Sequence, residues 1–324
     1  MSTIAFSSMP NAEPRTAAMQ HDSESVAAAQ HNNPTLAYPT DFVWGVSTAS
    51  YQIEGAHNAD GRGPSIWDDF SHTAGKTHQG HHGDVACDHY NRLEEDVRLM
   101  QQTGLQAYRF SISWSRVFPD GTPASENAAG VAFYEKLLGL LKAAGIKAIV
   151  TLYHWDLPSA LQAQGGWLSP ESPGWFTAYA ARCFELFDAD VKMWTTFNEP
   201  WCSCALGYGS GVHAPGRHTD PGREPYTAAH HILLAHGHAY RMYKRTSGRK
   251  PIGIVLNAEW REPRTRDARD EQARDRELAW MLGWFADPIF LTGDYPRVMR
   301  ERVGTRLPVR CSEANPGPNP TPSA

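Results

Sequence analysis

Polar side chains follow each of five apolar, β-favouring runs in this sequence. One run ends in Thr196-Phe197-Asn198-Glu199-Pro200, and a proline lacks the N–H group that a central strand requires. Asn198 and Glu199 are therefore expected at the carboxyl end of a strand, where Glu199 is either a helix cap or a catalytic group. The other runs bring further polar or aromatic groups to equivalent places: Gln52, Arg109, His154, Trp155, Asn257 and Glu259.

Helical patterns separate these runs and position their ends. Strands are predicted at 41–47, 105–113, 146–153, 191–197 and 252–256, and helices at 88–102, 127–144, 175–187, 227–246 and 270–285. Alternation of this kind predicts an α/β fold with a parallel sheet covered by helices, either a doubly wound sheet or a β/α barrel. No Gly-x-Gly-x-x-Gly motif follows the first strand, so the main sequence evidence for a dinucleotide-binding fold is missing. In a barrel, the strand ends converge on one face and form the active site there.

Composition excludes several classes of partner. The chain has 324 residues and a net charge of −5, which gives no electrostatic case for nucleic acid or an anionic membrane. No run approaches the roughly 20 apolar residues of a membrane helix. Five scattered cysteines argue against a disulfide framework, and Cys202 and Cys204 are expected as packed thiols. Without a signal peptide the expected location is cytoplasmic, with organellar targeting by the leader left open.

The chain divides into three parts by composition. Residues 1–37 hold few large apolar side chains and are predicted to be a disordered leader, 38–306 carry the βα pattern, and 307–324 form a divergent Pro-rich tail. A long loop at 56–85 contains His72, His78, His81 and His82. Their spacing fits no standard ligand pattern, so solvated histidines are favoured over a metal site.

The side chains at the strand ends suit a polyhydroxylated ligand. Amides and histidine hydrogen-bond hydroxyl groups, and tryptophan stacks on the apolar face of a sugar ring. Glycoside hydrolysis requires two carboxyl groups, one of them an acid with a raised pKa. Glu199 is the best candidate acid, because neighbouring aromatic residues would desolvate it and favour the protonated form. The second carboxylate is harder to assign, with Glu259 first and Asp156, Glu54 and Asp120 weaker.

Several ordered segments together resemble glycoside hydrolase family 1, the β-glucosidase and myrosinase group. They are FVWGVSTASYQIEG at 42–55, GRGPSIWD at 61–68, DVACDHY at 84–90, YRFSISWSR at 108–116, YHWDLP at 153–158 and TFNEP at 196–200. The resemblance runs from about residue 42 to about residue 303. It implies a (β/α)8 TIM barrel and retaining hydrolysis of a small β-glucoside or oligosaccharide, with no cofactor and no metal.

The resemblance also implies roles for individual residues. Glu199 would be the general acid/base, and Arg109 would orient the nucleophile. Gln52, His154 and Asn198 would hold the hydroxyls of the glycone, and the pocket would also include Trp155 and Asn257. Glu259 would not be the nucleophile, and the loop histidines would belong to a recurring loop.

The sequence also departs from the family pattern. The family's nucleophile is the Glu of a Thr-Glu-Asn-Gly stretch on the seventh strand, and the 324 residues contain no such stretch. The Asn-Tyr-Tyr segment of the sixth strand and the Trp and Glu of the eighth are absent too. We therefore expect about five of the eight βα units, two open sheet edges and no turnover of a glycoside by this chain itself. A noncatalytic sugar-binding remnant and a nonfunctional truncated product are the alternatives.

Overall fold

The computed structural model describes residues 38–246 and 248–308, and a compact unit begins at Val43. The predicted leader and residues 309–324 of the predicted tail lie outside the described residues. Within the compact unit, five strands form one parallel sheet in sequence order, which confirms the predicted parallel α/β architecture. The strands are β1 (Gly45–Ser47), β2 (Ala107–Ser111), β3 (Lys147–Tyr153), β4 (Val191–Asn198) and β5 (Ile252–Val255).

Helices occupy the connections between the strands. They are α1 (Ser50–Ile53), α2 (Ile66–His72), α3 (Leu93–Gln102), α4 (Trp114–Val117), α5 (Ala128–Ala143), α6 (Ser159–Gln162), α7 (Ser172–Phe187), α8 (Glu224–Thr246), α9 (Ala268–Leu278), α10 (Trp284–Ala286) and α11 (Arg297–Val303). Short 3-10 turns lie at His78–Gly80, Pro123–Ser125, Gly166–Leu168 and Gly304–Arg306, and π-helical segments at Cys202–Ser210, Ala279–Gly283 and Asp287–Leu291. Every helix in the described part of the chain is too short or too polar to traverse a lipid bilayer.

The first strand differs from its prediction. A buried strand was expected over 41–47, but only Gly45–Ser47 pairs with β2, and all three residues are exposed. The physical reason is position: among the described strands β1 pairs with β2 only, so the apolar side chains around it stay exposed to solvent. Trp44 is 49% exposed and Val46 43% exposed.

Two predicted helices also differ from the structure. The helix expected from residue 88 begins at Leu93, because Ala86 and Asp88 adopt left-handed backbone angles that interrupt a helix. The helix expected at 270–285 is not one continuous α-helix, since π-helical turns follow Leu278. Helical structure also continues beyond the predicted end at residue 285, as far as Leu291.

Aromatic side chains fill the core between the sheet and the helices. Trp114 stacks on Tyr179 with ring centroids 4.3 Å apart, and Phe176 stacks on Phe197 of β4 at the same distance. All four side chains are fully buried. Burial of a large apolar side chain contributes about 1.5–3 kcal/mol, so this layer holds the strands, and hence their polar ends, in fixed register.

Candidate active site

A chain of hydrogen bonds links the carboxyl ends of β2, β3 and β4. The guanidinium of Arg109 donates from Nη2 to Oδ1 of Asn198 at 2.7 Å. The Asn198 amide in turn donates from Nδ2 to Nε2 of His154 at 3.0 Å. Because the Asn198 oxygen accepts from Arg109, its nitrogen must face His154, and the orientation of the amide is determined. Three predicted site residues on three strands therefore form one connected cluster.

Arg109 is fixed by further contacts on neighbouring strands. Its Nε donates to Oγ1 of Thr151 at 3.0 Å, and its Nη1 donates to Oγ of Ser47 at 3.4 Å. Burial lowers the pKa of Arg109, and the nearby charge of Glu199 acts in the opposite direction. An arginine stays protonated throughout the working range of proteins, so the cluster carries a partly buried positive charge beside Glu199.

His154 is neutral in this environment. Burial and then the positive charge of Arg109 lower the pKa of His154 to about 3. Nε2 faces the Asn198 amide donor and must be the acceptor, so the proton lies on Nδ1. That nitrogen is buried and makes no hydrogen bond to the described residues. With Nε2 accepting from Asn198, the Nδ1–H is the group that this imidazole can donate to a ligand hydroxyl.

Two of the predicted site residues have unusual backbone conformations. Glu199 has φ of 48° and Trp155 has φ of 77°, both in the left-handed region that non-glycine residues rarely adopt. The Glu199 N–H still donates to the Val255 carbonyl at 2.8 Å, so the strained residue directly continues the β4–β5 pairing. Strained residues of this kind cluster at functional sites. The carboxylate of Glu199 is thus carried at a sharp strand-to-helix turn.

The Glu199 carboxylate has a thiol neighbour. The Sγ of Cys202 lies 3.8 Å from Oε2 of Glu199 and donates to it. Burial, followed by the charge of Glu199, raises the pKa of the Cys202 thiol to about 12, so the thiol is protonated and able to donate. Cys202 and Cys204 are both free thiols, as expected from the sequence.

Aromatic rings border the cluster. The indole of Trp155 donates from Nε1 to the Asn198 carbonyl at 2.8 Å, which ties the end of β3 to the end of β4. Trp155 stacks on Trp67 with ring centroids 6.4 Å apart, and His213 lies 5.3 Å from Trp155. This arrangement provides an aromatic wall beside the polar groups, as a sugar-binding site requires.

Two predicted site residues lie at the same edge of the sheet but outside the hydrogen-bonded cluster. Gln52 is an exposed residue of α1, just after β1, and Asn257 is a half-buried residue just after β5. The structure therefore brings Arg109, His154, Trp155, Asn198 and Glu199 together and places Gln52 and Asn257 in the segments that follow the two flanking strands.

The alternative second carboxylates are engaged elsewhere. Glu259 is exposed and paired with Arg261. Glu54 is buried in an ion pair with Arg116 at 2.9 Å and accepts a hydrogen bond from Tyr134 at 2.5 Å. Asp120 and Asp156 have their own partners, the hydroxyls of Ser125 and Ser50 respectively.

Sequence reasoning missed Thr151, Ser47 and Cys202 as neighbours of the cluster. Thr151 bonds Arg109 and lies 2.7 Å, Oγ1 to Oγ1, from Thr195 of β4. The available signal was a threonine inside each of two apolar strands. No comparable signal marked Cys202, which approaches Glu199 only because the π-helical segment Cys202–Ser210 follows the turn directly.

Comparison with known proteins identifies the relatives of this chain. The family model described as glycosyl hydrolase family 1 matches residues 35–316. Beta-glucosidase 42 of Arabidopsis thaliana is 48% identical over 275 residues, which are 84% of this chain and 56% of that protein. Human lactase/phlorizin hydrolase is 48% identical over 271 residues, 82% of this chain and 14% of that protein.

Solved structures agree with the sequence relatives. The crystal structure of a rice Os3BGlu6 β-glucosidase superposes with a TM-score of 0.81 at 46% identity, covering 84% of this chain and 59% of that chain. A family 1 β-glucosidase from Thermotoga maritima gives a TM-score of 0.81 at 44% identity, with 84% and 61% covered. This chain spans about half the length of the plant β-glucosidases it matches. Its five-stranded sheet corresponds to an incomplete (β/α)8 barrel, and the chain belongs to glycoside hydrolase family 1.

Proposed function

We propose that this chain carries the acid/base and glycone-binding part of a retaining β-glucosidase site. The observation that carries the proposal is the hydrogen-bonded cluster of Arg109, Asn198 and His154 at the carboxyl ends of three neighbouring strands, with Glu199 beside it. Such ends form the catalytic face in (β/α)8 barrels. The β-glucosidases among the relatives support the substrate class, a small β-linked glucoside or oligosaccharide.

In a complete retaining site Glu199 would act twice. As an acid it would protonate the glycosidic oxygen while that oxygen leaves the anomeric carbon, which in the same step would bond to the nucleophilic carboxylate. As a carboxylate it would then remove a proton from the water that attacks the glycosyl-enzyme intermediate. The Cys202 thiol donates to one carboxylate oxygen, Oε2, and thereby orients the group.

The neighbouring residues are proposed to bind the sugar. The Asn198 amide and the neutral His154 supply hydrogen bonds to glycone hydroxyls, and Trp155 supplies an apolar surface for the ring. Gln52 of α1 and Asn257, which follows β5, complete this set. Arg109 is proposed to orient a nucleophilic carboxylate, since its guanidinium is held by three strands and faces the same site.

A retaining mechanism needs a second carboxylate about 5–5.5 Å from the acid. The 324 residues hold no Thr-Glu-Asn-Gly stretch, and the alternative carboxylates are engaged elsewhere. We therefore propose that the 324-residue polypeptide binds glycosides but does not hydrolyse them. The two activities are separable by experiment.

The test measures binding and hydrolysis on the same preparation. Calorimetric titration with an aryl β-glucoside is expected to show saturable binding that weakens at least tenfold in Asn198→Ala. Release of the aryl group is expected to be no faster than in Glu199→Gln. Hydrolysis that depends on Glu199 would overturn the proposed lack of turnover. Absence of saturable binding in a chain with a cooperative thermal transition would overturn the glycone site.

The same experiment tests the nonfunctional alternative. A noncatalytic sugar-binding protein is the second candidate; the hydrogen-bonded cluster supports it, and it predicts the same binding without hydrolysis. A nonfunctional product would show neither binding nor a cooperative transition. The extensive buried aromatic core argues for a stable fold.

A further inference from the structure

Three metal-ligating side chains, His72, His82 and Asp84, meet within the loop whose histidines are predicted to be solvated, and His57 lies beside them. Asp84 is at the centre: its Oδ1 lies 2.8 Å from Nε2 of His72 and 3.1 Å from Nδ1 of His82. Its Oδ2 lies 3.7 Å from Nδ1 of His57. The ligand atoms of His72, His82 and Asp84 all fall within 4.8 Å of one another. Neither the residue spacing nor the family resemblance predicts this cluster.

The donor set and spacing match a transition-metal centre. Zinc–nitrogen and zinc–oxygen bonds of about 2.0–2.2 Å separate the ligand atoms of a tetrahedral site by roughly 3.3–3.6 Å. The distances from Asp84 Oδ1 to His72 and His82, 2.8 and 3.1 Å, are shorter than this by about 0.5 and 0.2 Å, and histidine side chains that are 43% and 44% exposed can adjust by that much. Imidazole nitrogens favour zinc, copper or nickel over calcium or magnesium, which prefer all-oxygen sites.

The backbone holds the ligands close together in advance. Tyr51 connects the two arms of the cluster: its hydroxyl lies 2.8 Å from Oγ of Ser71, the residue before His72, and accepts from the Gly83 N–H at 3.2 Å. Gly83 in turn lies between His82 and Asp84. His72 is the last residue of α2, whose first turn is closed by a capping box of Ser65 and Asp68. Ligands held on supported backbone bind a metal with a smaller ordering penalty.

We propose that His72, His82 and Asp84 form a binding site for Zn²⁺ or a similar divalent transition ion, which His57 would approach as a fourth ligand by a movement of its side chain. The ion would replace the imidazole–carboxylate hydrogen bonds and cross-link α2 to the loop that precedes α3. Because Tyr51 contacts both arms and directly precedes Gln52, occupancy would order the rim of the strand-end face. The metal site stands independently of the proposed glycoside function.

The test uses the 324-residue protein and zinc chloride, with a chromophoric chelator as competitor. One equivalent of Zn²⁺ is expected to bind, and the double variant His72→Ala/His82→Ala is expected to raise Kd at least tenfold. The matched control is His78→Ala/His81→Ala, two histidines of the same loop whose rings contact each other outside the cluster. This control should stay within twofold of the wild type.

Two further measurements keep the test decisive. Co²⁺ substitution should give the visible absorption of a tetrahedral site in the wild type and the control, and lose it in Asp84→Asn. Affinity should fall on acidification, since imidazole must be deprotonated to ligate. Equal loss of Zn²⁺ binding in both double variants would show nonspecific binding by loop histidines. Wild-type binding no tighter than that of His72→Ala/His82→Ala would likewise overturn the proposal.

Discussion

Asn198 is the residue on which the polar cluster depends. Its side-chain oxygen accepts from Arg109, its amide nitrogen donates to His154, and its carbonyl accepts from the indole of Trp155. A single side chain thus determines the tautomer of one neighbour and the position of another. Only the type of this residue and its place at a strand end were predictable. Its three partners depend on the register of β2, β3 and β4.

We expect Asn198→Asp to raise the pKa of His154 from its value of about 3. A carboxylate in place of the amide would face Nε2 and favour the imidazolium, against the opposing effects of burial and Arg109. The measurement is NMR titration of the His154 ring carbons. Asn198→Ala, which adds no charge, is the control and should leave His154 neutral above pH 5. An unchanged His154 titration in Asn198→Asp would contradict the hydrogen-bonded chain.

A second prediction concerns the buried carboxyl of Asp156. Burial raises its pKa to about 7, with Ser50 as its hydroxyl donor. The native state therefore keeps a proton that the unfolded state has lost above pH 4. The contribution of Asp156 to the free energy of unfolding is therefore fully present below about pH 4. It is lost as the pH rises through about 7. Asp156→Asn mimics the protonated form and should gain stability relative to wild type over that range, by at most about 4 kcal/mol.

Urea unfolding at pH 4.5 and pH 8 checks this prediction. The control is Asp120→Asn, which replaces an exposed turn carboxylate. Desolvation raises the pKa of Asp120, but hydrogen bonds from Ser125 and Thr122 together outweigh it, so the pKa is lowered. That variant should not gain stability as the pH rises. A constant stability difference between Asp156→Asn and wild type at both pH values would show that Asp156 is ionised in the native state.

Helix α5 illustrates close packing between elements. A Cβ at Gly130 would lie 2.1 Å from the Arg116 carbonyl of α4, whereas a Cβ at Gly139 in the same helix would meet no atom within 4 Å. Gly130→Ala should therefore destabilise the protein by about 1–3 kcal/mol despite the higher helix propensity of alanine. Gly139→Ala should be neutral or stabilising by up to about 1 kcal/mol. Thermal unfolding of both variants measures the difference, and equal effects would contradict the close approach.

Secondary-structure elements were predictable where their pattern is strong. The runs that became β3 and β4 and the periodic apolar positions of α5 and α8 give near-correct elements from sequence alone. The failures have local physical causes. Residues with left-handed backbone angles precede Leu93, so α3 begins later in the sequence than predicted. The π-helical turns after Leu278 have no distinctive residue pattern. The His57, His72, His82 and Asp84 cluster depends on loop conformation, which hydrophobic periodicity does not encode.

At the scale of the whole molecule, the edge strands of the sheet are expected to control self-association. Within the described residues, β1 and β5 each pair with one neighbouring strand, and exposed β1 carries the apolar side chain of Val46 at this edge. Such an edge is a template for association with another chain. We expect the isolated polypeptide to self-associate in a concentration-dependent way.

Val46→Lys should reduce this association, because a charged side chain on an edge strand opposes pairing. Val46 is 43% exposed on β1, and Val85, which is 65% exposed on the loop, provides the control substitution Val85→Lys. Light scattering coupled to size-exclusion chromatography gives the mass of each variant. If both lysine variants dissociate equally, general charge rather than the β1 edge controls association.

The order of the strands has a consequence for how the protein is made. Each strand pairs with the strand that precedes it in the chain, from β1 through β5. A nascent polypeptide leaving the ribosome can therefore add one strand and one helix at a time to structure that already exists. Within this sheet each new strand pairs with one that has already been synthesised. The topology therefore favours folding from the N-terminus during synthesis. If translation is arrested after each successive βα unit, the nascent chains should become increasingly resistant to protease. In each of them the last strand formed is the open edge to which the next strand would add.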